Sequence, residues 1–368
     1  MYRIDWETDK EHFRTKKLKR FKSGDDVIEL PVYENIQFRV HNGGILLGED
    51  EFRYIQQSHP GLGPNVQKVP CGKCIQCRLN YSREWANRCV LESKFYEHNA
   101  FVTLTYDNEH LFRLPWKLDY DEEKNEFFRR PSLLKDDVQK FLKDLRSYFK
   151  YHFDHDGIRH FAAGEYGDEG GRPHFHVILF NCDFPDKRFF KENEGGRLYT
   201  SEILDKIWKK GIAVTAEVNW NSAAYTARYC MKKLKGKDKK KRDRIFELAG
   251  FEGDHIEDEF SIKSNRPGIG RNYYDANKSI FYATDEIFVK KGDKAQAIRP
   301  AKYYDRLYDV EYPDEMAAIK ARRRLTADRS LRSELSNTDM TERELLLMKE
   351  DVALQKSNKL IRPLDIGN

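Results

Sequence analysis

The stretch His160-Phe161-Ala162-Ala163-Gly164-Glu165-Tyr166-Gly167-Asp168-Glu169-Gly170-Gly171-Arg172-Pro173-His174-Phe175-His176-Val177-Ile178-Leu179-Phe180 decides the fold. Its middle, Tyr166 to Pro173, is turn chemistry, and its flanks are apolar runs of strand length. It predicts two strands, His160 to Glu165 and His174 to Phe180, joined as a hairpin. Upstream, Phe101-Val102-Thr103-Leu104-Thr105-Tyr106 reads as another strand. Behind Pro131-Ser132, the residues Leu134, Val138, Phe141, Leu145 and Tyr148 recur at helical spacing. Downstream, Ser201 to Lys210 reads as a short helix that Gly211 stops. Ile212 to Val218 reads as a strand, and Asn221 or Ser222 can cap one more helix.

The order strand, helix, strand, strand, helix, strand is the ferredoxin-like βαββαβ order. The expected class is α+β, with an antiparallel sheet, helices on one face and a further helix after it. Three regions are expected: 1–66, an N-terminal extension that is partly irregular; 67–275, the main domain with a Cys-rich start; and 276–368, a mixed-charge helical appendage. The loop-like Ser58 to Pro64 marks the first boundary. Thr341-Glu342-Arg343-Glu344 matches a capping box before Leu345 to Met348.

The 368 residues include 35% charged side chains, yet 23 Phe, 20 Tyr and 5 Trp argue for a folded chain. A net charge of +5 is modest, so any nucleic-acid contact must rest on local clusters. One early cluster is Arg14, Lys16, Lys17, Lys19, Arg20 and Lys22; it reads equally as a solvated arm. No apolar run approaches the roughly 18 residues of a membrane span. The polar start, Met1 to Arg14, has no signal-peptide core. Six cysteines in this length do not make a disulfide scaffold. Secretion, membrane insertion and fibres are therefore not expected, and a reducing cytoplasm is.

His174 and His176 lie two apart on a strand, so both imidazoles face one way while Phe175 and Val177 face the core. Across the hairpin Glu165 comes near His174. Two His and a carboxylate can hold a divalent ion, Mg2+ or Mn2+, with positions left open for a phosphate oxygen. Asp168 and Glu169 in the turn are other carboxylates within reach. Tyr225 and Tyr229 are four apart and share a helix face, with Arg228, Lys232 and Lys233 close by. A phenol near phosphate-binding cations is a candidate nucleophile; packing on the core is the other reading. Residues 231–244 hold nine Lys or Arg, Lys235 and Lys237 among them, against two Asp. They form a phosphate-contacting strap or a solvated face. Arg266-Pro267-Gly268-Ile269-Gly270-Arg271 could bring amides and guanidinium groups to a DNA backbone, or be only a turn. Cys71, Cys74, Cys77 and Cys89 have spacing that could bind structural zinc, with His98 another candidate ligand. Packed, reduced thiols are the alternative.

Phe101 to Tyr106, Gly164-Glu165-Tyr166-Gly167, Arg172 to His176 and Tyr225 to Tyr229 occur in the order of the HUH endonucleases. Together with Pro70-Cys71-Gly72-Lys73-Cys74, Cys77 and Arg266 to Gly270, they resemble the replication initiators of small single-stranded DNA phages, the gokushovirus branch of the microviruses. The likeness covers roughly 67–275. It implies rolling-circle initiation: a tyrosine attacks origin DNA, leaving a 5′-phosphotyrosyl enzyme and a free 3′-OH, and the strand is later rejoined. It implies His174, His176 and Glu165 as ligands and Tyr225 and Tyr229 as nucleophiles. Many relatives have Lys where this chain has Arg228. If that position shuttles protons, Lys232, Lys233 or a metal-bound water takes the role here. No P-loop motif occurs, so host helicase and polymerase are the implied partners besides single-stranded and origin DNA. The implied location is the cytoplasm of a bacterial host. A plasmid initiator, relaxase or transposase of the same chemistry, and a zinc-stabilised DNA-binding protein without catalysis, are the competing readings.

Overall fold

The computed structural model describes residues 71–358 apart from 73, 168–169, 194–195, 233–236 and 292–293, together with short strands between residues 2 and 68. The chain forms two compact units, Met1–Cys77 and Arg78–Asn368. In the first, Arg39–His41, Gly44–Leu47, Tyr2–Asp5 and Gln67–Lys68 lie side by side in a four-stranded sheet. Leu18–Ser23 and Asp26–Pro31 form a separate hairpin, which carries Lys19, Arg20 and Lys22 of the early basic cluster. This region holds more strand than the sequence pattern predicts. Arg14, Lys16, Lys17 and the loop from Ser58 to Pro64 lie outside the described residues.

The second unit is built on a seven-stranded sheet. Its elements run α1 (Ile75–Ser93, which begins in the first unit), β1 (Asn99–Tyr106), α2 (Asn108–Phe112), hairpin β2 (Trp116–Asp121) and β3 (Glu126–Pro131), then α3 (Lys135–Phe153). Next come β4 (Arg159–Tyr166), β5 (Pro173–Phe180), β6 (Arg188–Asn193), β7 (Gly196–Thr200), α4 (Glu202–Trp208), β8 (Gly211–Ala216) and α5 (Trp220–Lys232). The sheet order is β6-β7-β8-β1-β5-β4, with β9 (Phe260–Lys263) at the far edge. All pairings are antiparallel. The class is α+β, and the predicted order is the observed one, β1-α3-β4-β5-α4-β8. Within the sheet its four strands lie in the order fourth, first, third, second.

Both faces of the sheet are covered, where one was expected. Val138, Phe141, Leu145 and Phe149 of α3 and Leu204 and Trp208 of α4 pack on Val102, Leu104, Phe175, Val177 and Leu179. On the opposite face Trp85, Cys89 and Val90 of α1 and Ala223, Tyr225 and Ala227 of α5 pack on Phe101, Phe161, Ile178 and Phe180. This double cover explains why β5 is buried along its whole length. Side chains fully buried there contribute roughly 1.5–3 kcal/mol each through the area they remove from water.

Local chemistry sets the element ends. Ser201 Oγ accepts from Leu204 N at 3.1 Å and caps α4. Asn219, not Asn221 or Ser222, caps α5: its Oδ1 accepts from Asn221 N at 2.8 Å and Ser222 N at 3.0 Å. Pro131 closes β3, so α3 starts at Lys135, later than predicted. Gly211 opens β8 at φ +144°, and a Cβ there would collide with the Asp107 backbone nitrogen. Only glycine fits that close approach.

Beyond β9, α7 (Arg271–Thr284) runs straight across the expected boundary at 275. It follows α6 (Lys237–Leu248) in helix order. The hairpin β10 (Ile287–Lys291) and β11 (Lys294–Ile298) leads to α8 (Lys302–Glu311), α9 (Pro313–Ser336) and α10 (Glu342–Asn358). Leu91 of α1 shares a core cluster with Tyr274, Phe281, Tyr304, Tyr308 and Met316, so α8 and the start of α9 pack on the main body. The capping box forms: Glu344 N donates to Thr341 Oγ1 at 3.3 Å and Thr341 N to Glu344 Oε2 at 2.7 Å.

Candidate metal centre and the tyrosine helix

Register alone brings the polar residues together. Glu165 pairs with His174 across β4 and β5, and His176 pairs with Thr103 across β5 and β1. Strand alternation turns Glu165, His174, His176 and Thr103 toward the face that α5 covers. The donor atoms of Glu165, His174 and His176 all lie within 4.8 Å of one another. His174 Nε2 donates to Glu165 Oε1 at 2.6 Å and His176 Nε2 to the same oxygen at 2.7 Å.

The remaining ring nitrogens are held from behind. His174 Nδ1 meets the Arg172 carbonyl at 3.1 Å, and His176 Nδ1 meets Thr103 Oγ1 at 3.0 Å. Phe101 stacks on the His176 ring at 5.6 Å. Such outer contacts fix ring orientation and aim Nε2 at a shared point. Burial raises the pKa of the Glu165 carboxyl, but the His176 and His174 imidazoles outweigh it and hold the group at about 2. Glu165 is fully buried, and its Oε2 has no hydrogen-bond partner.

These facts fit a divalent cation. A buried carboxylate oxygen without a partner is costly, and an ion bridging it to two aligned imidazoles removes that cost. Nitrogen and oxygen donors are compatible with Mg2+, Mn2+ or another divalent ion. Asp168 and Glu169 lie outside the described residues. Sequence reading missed Thr103 and the Arg172 carbonyl, because neither is a metal-ligand type; strand register is what reveals them.

Tyr225 of α5 lies beside this centre. Its ring meets the His176 ring edge-on at 4.8 Å and the Phe101 ring at 6.3 Å. The residue is only 1% exposed. Arg228 places its guanidinium 5.9 Å from the Tyr225 ring. Tyr229 lies one turn further along α5, and Lys232 ends that helix. The side chains of Tyr229, Lys232 and Lys237, and all of Lys233 and Lys235, lie outside the described residues.

The basic strap is less open than its sequence implies. In α6, Lys241 pairs with Glu122 at 3.0 Å, Arg242 with Asp258, and Arg244 with Glu247 at 2.9 Å. Phe246 anchors the helix against Phe127 of β3. The segment Arg266 to Gly270 is also held inward. Arg159 donates to the Pro267 carbonyl at 2.7 Å and to Glu92 Oε1 at 2.5 Å. Arg88 donates to the Ile269 carbonyl at 2.8 Å, and Gly270 N to Glu92 Oε2 at 2.5 Å. The expectation of amides offered to a DNA backbone is thus corrected at Gly270, whose N–H is taken by a buried carboxylate. Arg271 is paired with Asp275 at 2.8 Å, and Arg266 is exposed.

Cys71, Cys74 and Cys77 bring their sulfurs within 4.8 Å of one another. Cys89 does not complete the group. It is buried in the core with Trp85 and lies twelve residues beyond Cys77 on α1, about 18 Å of helix rise. His98 is exposed and also outside the group.

Among the described residues no helix is long and apolar enough to cross a membrane. Residues 99–234 match the family model for the replication-associated protein ORF2. The chain is similar to the replication-associated protein ORF2 of Spiroplasma virus 4, with 34% identity over 72% of this chain and 75% of that one. It is also similar to the replication-associated protein VP4 of Bdellovibrio phage phiMH2K, with 32% identity over 70% of this chain and 72% of that one. The replication-associated protein ORF4 of Chlamydia phage 1 is 32% identical over 45% of this chain and 38% of its own. No solved structure gives a significant match.

Proposed function

The chain belongs to the family of phage replication-associated proteins, and on that premise we propose that it is an HUH-type initiator that nicks origin DNA through a tyrosine. The observation that carries this reading is the cluster of Glu165, His174 and His176 with the Tyr225 ring 4.8 Å from His176. A divalent ion held by these three residues would act as a Lewis acid on a phosphate oxygen. Glu165 and the two imidazoles fix its position, and Thr103 and the Arg172 carbonyl keep the rings aimed. Tyr225 or Tyr229 supplies the nucleophile. Its phenol oxygen bonds to the scissile phosphorus and the 3′-oxygen leaves. The proton lost by the phenol ends on that 3′-oxygen.

The products are a 5′-phosphotyrosyl enzyme and a free 3′-OH. The reverse reaction rejoins the strand, and two tyrosines on one helix face allow one to hold an end while the other cuts. Arg228 beside Tyr225 favours the anionic phosphate. Because Tyr225 is buried, α5 must shift before a phosphate reaches its hydroxyl. The free 3′-OH would prime the host polymerase, with a host helicase separating the strands in the infected cell.

The test is a nicking assay on origin oligonucleotides with Mg2+ or Mn2+. Wild type is expected to cut. His174→Ala, and Tyr225→Phe combined with Tyr229→Phe, should bind the DNA and leave it intact. A double Phe variant that nicks as well as wild type refutes the tyrosine mechanism. Zinc-dependent binding with no cleavage by wild type on a true origin would identify a DNA-binding protein without catalysis.

A further inference from the structure

We propose that Cys71, Cys74 and Cys77 hold a single structural zinc ion, separate from the Glu165 centre. The Cys71 and Cys77 sulfurs are 3.8 Å apart, and all three sulfurs lie within 4.8 Å of one another. Two thiolates each about 2.3 Å from one tetrahedral ion stand about 3.8 Å apart. Thiolates bound to different irons of an iron–sulfur cluster would be spread wider, each on its own metal. The spacing therefore points to one ion.

The backbone is shaped for the same purpose. Gly72 takes φ +71°, a left-handed turn. The Cys74 N–H then donates to Cys71 Sγ at 3.2 Å, a bond that favours the thiolate form. Cys74 and Cys77 sit at the start of the 19-residue α1, where the helix dipole also favours negative sulfur. Soft thiolates select zinc over Mg2+ and Mn2+, whereas the carboxylate–imidazole centre accepts those harder ions. The two sites divide metals by ligand chemistry. Binding displaces the thiol protons and leaves the fourth tetrahedral position to a donor outside this trio.

The test measures metals in the full chain purified without added chelator. About one zinc per chain is expected, without iron or acid-labile sulfide. Cys74→Ser and Cys77→Ser should lose it, and Cys182→Ala and His174→Ala should keep it. Retention in His174→Ala separates this site from the proposed nicking centre. In case the serine variants fail to fold, wild-type protein is also probed with a thiol alkylator. Cys71, Cys74 and Cys77 should react slowly until a chelator is added, and Co2+ should restore protection with thiolate-to-cobalt absorption. Zinc at background with the three thiols freely alkylated overturns the proposal, as does iron with sulfide.

Discussion

Replacing Thr103 with valine tests the metal centre through a residue that is not a ligand. Thr103 is buried, and its hydroxyl is 3.0 Å from His176 Nδ1. Without an ion, His176 Nε2 carries a proton toward Glu165, and the threonine can donate to Nδ1. With an ion on Nε2, the neutral ring must carry its proton on Nδ1, and the hydroxyl becomes the acceptor. Valine keeps the shape and removes both roles. A buried N–H left without an acceptor costs about 1–3 kcal/mol. The ion-free state also loses a bond, but strands only a lone pair, so part of the cost cancels. The net expectation is about tenfold weaker Mn2+ binding, or about 1.4 kcal/mol. Titration calorimetry on the folded variant measures it, with the melting temperature as a check. Thr103→Ser keeps the hydroxyl and should bind as wild type does. Wild-type affinity in the valine variant, or equal weakening by serine, would show that His176 is not held in this way.

Other perturbations reach the scaffold. His160 is pushed from 6.5 to about 4 by burial and by the Arg146 and Arg159 cations. The folded ring stays neutral while the unfolded one gains a proton below pH 6.5, so stability falls as pH drops from 6.5 to 4. The loss is on the order of 3 kcal/mol; urea midpoints for wild type and His160→Gln should converge in profile only above pH 7. Glu92→Ala strands Arg159 and the Gly270 N–H, and should cost about 3–5 kcal/mol in denaturant. An unchanged midpoint would mean that this pair does not anchor the 266–270 loop. Gly211→Ala should lower stability by more than about 2 kcal/mol, because strained backbone adds to the clash with Asp107 N. A melting temperature equal to wild type would remove that argument.

Period-two alternation and the glycine-rich turn made the hairpin and its inward histidines legible, and residue types on that register named Glu165. The helical stripe on α3 was equally readable. The second covering layer was not. The α1 segment mixes Arg88 and Glu92 with Trp85 and Cys89, and those charges are buried only because the 266–270 loop and Arg159 pair them. The strap from 231 looked uniformly basic, since its carboxylate partners Glu122 and Asp258 come from distant segments. The appendage expected from 276 shares a core with Leu91, a contact no local pattern encodes.

The most direct measurement is the covalent adduct itself. The chain is incubated with origin single-stranded DNA and Mn2+, digested, and its DNA-linked peptides are mapped by mass spectrometry. The account predicts a phosphodiester link on Tyr225 or Tyr229 that vanishes with chelator and in His174→Ala. Cleaved DNA with no linked tyrosine peptide, or an adduct indifferent to His174, would contradict it.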